Sequence, residues 1–74
     1  MRTLKLTAVI EREGDGYVSL CPELDIASQG DTVDQARRNL REAVEGFLEA
    51  ADESEVRERL GSERLVEQIE VTVG

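Results

Sequence analysis

The chain has 74 residues, enough for one domain, and a chain this short buries only about 60% of the surface its unfolded form exposes. Seventeen acidic residues against nine basic ones give a net charge of −8, which offers no footprint for nucleic acid and attracts basic partners instead. One cysteine and no histidine exclude an intramolecular disulfide, Cys/His zinc sites and catalysis by a histidine base.

From the N-terminus, M-R-T-L-K-L-T contains no long apolar run, so neither a signal peptide nor a membrane span is expected, and a cytoplasmic location is. Leu4 to Glu11 then alternates. Leu4, Leu6, Ala8 and Ile10 share one face, and Lys5, Thr7, Val9 and Glu11 the other, which predicts a half-buried strand. Glu13-Gly14-Asp15-Gly16 is a turn signal, and Tyr17 to Cys21 a second strand, so the pair reads as a hairpin. If Val18 and Leu20 join Ala8 and Ile10 on the inner face, Ile10 pairs with Val18 across a five-residue loop or with Leu20 across a three-residue one. The intermediate register would place half of the apolar set on the wrong face.

Pro22 ends the second strand because it cannot donate to the ladder. Leu24 to Gln29 predicts a short third strand at an edge. At Thr32 the period changes to that of a helix. Val33, Ala36, Leu40, Ala43, Val44, Phe47, Leu48 and Ala51 fall on one stripe roughly 160° wide, opposite Asp34, Arg38, Glu42, Glu45 and Glu49. Beyond Ala51 the polar stretch E-S-E-V-R-E-R-L-G reads as a short helix or loop stopping at Gly61. Glu67 to Val73 alternates again, with Ile69, Val71 and Val73 on one side, which predicts a last strand. The order β-β-β-α-β implies a parallel crossover, hence an α+β domain with one long helix on one face of a four-stranded mixed sheet.

Four features bear on chemistry. Thr32 with Gln35 forms a capping box, and Asp31 and Asp34 add negative charge at the positive end of the helix. Those carboxylates would repel a phosphate, so Gly30-Asp31-Thr32 reads as a strand-to-helix hinge rather than a phosphate cradle. A two-metal nuclease would need convergent carboxylates, for which Glu11, Asp15 and Asp25 are the strand-end and loop candidates. The inner strand positions are apolar instead, so no metal, cofactor or catalytic residue is expected. Cys21, with no histidine to activate it, reads as a small packed hydrophobe. The sheet face away from the helix would display Lys5, Thr7, Val9, Tyr17, Ser19 and Cys21, with Gln68, Glu70 and Thr72. Val9, Tyr17, Ser19 and Cys21 are its candidate partner or oligomer contacts, with Tyr17 as the aromatic anchor.

Asp15-Gly16-Tyr17, Cys21-Pro22, Leu24, Gly30-Asp31-Thr32, Ala36, Asn39 and Glu42-Ala43 together resemble the HicB-like antitoxin family, whose members run D-G-Y, C-P-x-L, G-D-T-x-x-E-A and N-x-x-E-A. Gln35 stands where a glutamate is more usual, and Pro22-Glu23-Leu24-Asp25-Ile26-Ala27 is a shortened form of the family's P-x-L-P-G-C run. The resemblance implies a partial ribonuclease-H-like fold without nuclease activity. It also implies a small basic ribonuclease toxin of the HicA type as partner, bound and neutralised by the antitoxin. Many members carry a C-terminal DNA-binding domain. Here one domain over 1–74 with no basic helix-turn-helix segment is expected, and with it no direct nucleic-acid binding. A small scaffold without disulfides is expected to associate, as a homodimer or higher oligomer. The alternative expectation is an orphan regulatory or scaffolding module with no toxin partner.

Overall fold

Gly14 and Asp15 decide how this chain folds. The computed structural model describes residues 3–61 and 65–74. In it β1 (Val9–Glu13) and β2 (Gly16–Cys21) are joined by the two residues Gly14-Asp15 alone. Gly14 has φ 60°, and Asp15 is not among the positive-φ residues, the pattern of a type II′ turn. Such a turn matches the right-handed strand twist and fixes the register, with Glu13 opposite Gly16 and Ile10 opposite Ser19. This is the intermediate register, and neither loop length expected from the apolar pattern is realised. Turn geometry outweighs alternation, so Val18 and Leu20 lie on the outer face and Tyr17, Ser19 and Cys21 on the inner one.

A four-residue turn, Pro22 to Asp25, leads into β3 (Ile26–Gly30), which pairs antiparallel with β2. The Leu24 amide donates to Cys21 O at 3.3 Å within it, and Asp25 takes the left-handed conformation at φ 55°, one that a short polar side chain tolerates. The sheet order is β1-β2-β3, all antiparallel.

Helix α1 (Val33–Ala50) starts with a variant of the capping box, in which the return bond reaches one residue beyond the N-cap, to Asp31. Thr32 is extended, and its Oγ1 accepts from the Gln35 amide at 3.0 Å, while Gln35 Oε1 accepts from the Asp31 amide at 2.5 Å. The helix lies across β3 and β2 and ends where the Ala51 amide donates to Phe47 O at 2.8 Å. A second helix, α2 (Glu53–Gly61), follows. It docks on the turn after β2 through Arg59, whose Nη1 donates to Leu24 O at 2.6 Å and whose guanidinium sits 4.8 Å from the Phe47 ring centroid. The core is Cys21, Leu24 and Leu40, with Leu6, Ile26, Val44, Phe47, Leu48 and Leu60 packed around them. Each fully buried leucine contributes roughly 1.5–3 kcal/mol.

The four-stranded mixed sheet with one long helix is therefore replaced by three antiparallel strands and two helices. The first strand begins at Val9 rather than Leu4, and residues 3–8 run beside α1 without joining the sheet. Residues 67–73 form no strand, so there is no parallel crossover. Alternation describes a segment with two unlike sides; it does not supply the edge on which that segment pairs.

Candidate protein-interaction surface

The inner face is built for close approach. Ser19 is 1% exposed, and its Oγ donates to Ala36 O at 3.0 Å. A Cβ added to Gly30 would stand 2.6 Å from the Ala36 nitrogen, closer than any real contact, so the strand end passes directly beneath the first turn of α1. Asn39 Nδ2 donates to Gln29 O at 2.7 Å and ties the next turn to the same strand. Gly30 is thus a packing glycine. The hinge reading of Gly30-Asp31-Thr32 acquires a geometric cause: only a residue without a side chain lets β3 turn into α1 at this distance.

Of the four residues expected on the open face, only Val9 is there. Ser19 and Cys21 are buried beneath α1, and Tyr17 is half-buried on the same inner side, with the Arg12 guanidinium 6.0 Å from its ring centroid. The register is the reason, since moving one residue along exchanges the faces. The open face instead carries Val9, Leu20 and Ala27 directly opposite one another, and beside them Glu11, Val18 and Gln29. Val9 and Leu20 are 37% and 38% exposed, and no element covers this face among the described residues. Toward the Gly14 turn it becomes acidic, with Glu11, Glu13 and Asp15. Leu20 and Ala27 were legible as surface residues only through the Gly-Asp turn signal.

A clasp holds the N-terminal segment. Thr7 donates to Glu23 from its amide at 3.1 and 3.0 Å and from its hydroxyl at 2.7 Å. The Cys21 thiol donates to the same carboxylate at 3.6 Å. Partial burial works against the charge on Glu23, but the hydrogen bonds from Thr7, its own amide and Cys21 outweigh it and hold the carboxyl below its ordinary range. Burial, reinforced by the Glu23 charge, pushes the Cys21 thiol up, so Cys21 stays protonated and inert at neutral pH.

Neither a family model nor a solved structure matches the chain. Among curated proteins, the UPF0150 protein ssr1258 of Synechocystis sp. is 34% identical over 68 residues, covering 89% of this chain and 99% of the relative. The UPF0150 protein ssl0738 of the same organism is 39% identical over 67 residues, covering 88% and 92%. The chain belongs to the UPF0150 family. Neither relative's name states an activity. In this UPF0150 chain Asp15 and Asp25 occupy turns at opposite ends of β2, and Glu11 points from the outer face, so the structure does not bring the three carboxylates together. No group of three or more His, Cys, Asp or Glu placed to hold a metal occurs among the described residues. No helix among them is long and apolar enough to cross a membrane.

Proposed function

We propose that this UPF0150 chain is a HicB-like antitoxin domain. It acts by binding rather than by catalysis, as a cytoplasmic homodimer or larger assembly that neutralises a small basic ribonuclease of the HicA type. The observation that carries the reading is the open sheet face, with an apolar row of Val9, Leu20 and Ala27 at one end and Glu11, Glu13 and Asp15 at the other. An apolar centre beside a block of one charge suits a protein partner of opposite charge. The acidic end draws a cationic protein in, and the apolar row holds it by excluding water. A toxin whose RNA-binding face is cationic is blocked when that face is covered. The D-G-Y, C-P-x-L and G-D-T motifs and membership of UPF0150 support the same reading.

The experiment is co-expression with the product of the adjacent gene. The two proteins are expected to co-purify, to separate more readily as salt rises, and to suppress RNA cleavage by the partner. Leu20→Asp is expected to weaken the complex. An adjacent gene encoding nothing small and basic, or two proteins that fail to associate, overturns the toxin-neutralising reading and leaves the orphan regulatory module in its place.

A further inference from the structure

Two exposed features of the chain complement each other. The first is the C-terminal segment, in which Ile69, Val71 and Val73 are 81%, 74% and 91% exposed and make no part of the core. Large aliphatic side chains at every second position, all in water, leave one side of a strand-like segment without a partner. The second is a groove of about 660 Å³ between residues 3–8 and α1, floored by Leu4, Leu6, Leu40, Val44 and Leu48. Residues 3–8 lead directly into β1, an outer strand of the sheet whose other edge is free. An open edge beside an apolar groove is where an extended segment adds as a strand, its backbone pairing along the edge and alternate side chains entering the groove.

Charge agrees with shape. The groove is rimmed by Lys5, Arg37 and Arg41 against a single carboxylate, Glu45. Arg37 pairs with Asp34 at 3.3 Å, which leaves Lys5 and Arg41 as the cations facing an incoming segment. Between and beside its aliphatic residues the C-terminal segment carries Glu67 and Glu70. Glu67, on the same side as Ile69, Val71 and Val73, therefore meets the basic residues flanking the groove, in a molecule whose net charge of −8 makes cationic pairs scarce.

We infer that residues 67–73 of one copy seat in the groove of a second copy, and that the exchange is reciprocal. Within a single chain both halves of this joint lie exposed. Two copies related by a twofold axis cover both at once and leave no open end, which closes the assembly at a dimer. The inference rests on the homodimer of the proposed function and not on its toxin. It assigns the dimer to the tail and groove, leaving the open sheet face for a different protein.

The full chain is expected to sediment at twice its monomer mass. Ile69→Asp with Val71→Asp, at positions without a role in the protomer's core, is expected to weaken dimerisation by at least about 100-fold while far-UV circular dichroism is unchanged. A charge exchange then separates a partner's tail from the chain's own. Lys5→Glu with Arg41→Glu in one preparation, and Glu67→Lys in another, should each dimerise poorly at low salt. Mixed, they should form a heterodimer in which every joint is complementary. A dimer that ignores the tail substitutions overturns the inference while leaving the homodimer intact. Variants that do not rescue one another on mixing also overturn it, because the tail then binds its own chain or nothing. A monomeric wild type overturns both the inference and the homodimer, and toxin binding is read independently by co-purification.

Discussion

The two faces of the three-stranded sheet differ in the size of the side chains that meet at their centres. The covered face carries the small Ser19, Ser28 and Gly30 at its centre beneath α1, with Ile10, Tyr17, Cys21 and Ile26 around them, whereas the centre of the uncovered face carries Val9, Val18, Leu20 and Ala27. An antiparallel sheet with one wet side ordinarily places its branched aliphatics under the helix. Here the distance between helix and strand governs the choice. With the Ser19 hydroxyl 3.0 Å from the Ala36 carbonyl, there is no room for a larger side chain at that point. The aliphatic core is displaced to the end of the sheet near the Pro22–Asp25 turn, around Leu24 and Leu40. The aliphatics left on the outer face lie where a partner can use them.

The contrast can be broken most severely at Gly30. Gly30→Ala drives a Cβ into the backbone of Gln35 and Ala36, which cannot move without unwinding the start of α1. A loss of about 3 kcal/mol is expected in urea denaturation. Ser19→Val restores the pattern that alternation alone would suggest, yet it overpacks the same contact and removes the bond to Ala36. The expected loss is about 2 kcal/mol. Glu23→Gln keeps the shape of the clasp but not its charge, at a cost of about 1 kcal/mol.

The sign of the pH effect follows from the lowered pKa of Glu23. Its contribution is fully present above the ordinary glutamate value and is lost as pH falls through the lower folded-state value. Stability of the wild type should therefore decline across that acidic window more steeply than that of Glu23→Gln, as followed by denaturant titrations at several pH values. The smallest effect sharpens the comparison from the outside. Leu20→Asp should shift protomer stability by no more than about 0.5 kcal/mol while weakening the proposed complex with a toxin. A large loss of stability in the isolated protein would mean that the outer face is structural after all.

Residues 31–50 were legible because every local signal agrees there. Thr32 and Gln35 cap, Asp34 complements the helix dipole, and the stripe from Val33 to Ala51 keeps one period. The three strands were legible as elements, though the first starts five residues late. The register was not, because Gly14-Asp15 and the alternation of Val18 and Leu20 point to opposite answers, and the structure follows the two-residue turn. The interaction surface inherited that error. Val9 stayed outside, while Ser19 and Cys21 moved in. The tail was legible as a pattern and not as a partner, since Ile69, Val71 and Val73 specify a side to be covered and nothing about which chain covers it.

The Gly14-Asp15 turn makes length, rather than residue identity, the vulnerable property of a surface loop. Connecting segments generally accept an added residue with little harm. One residue inserted here slides β1 past β2 by a single step, so that Ile10 meets Val18 or Leu20 and the two faces of β1 trade places. Because α1 packs on β3 and β2 and hardly on β1, β2 keeps its faces and β1 turns over, carrying Ile10 out to water and Val9 and Glu11 to the helix side. A change at the far tip of a hairpin would be felt along the whole strand, as one edge of the sheet turned over.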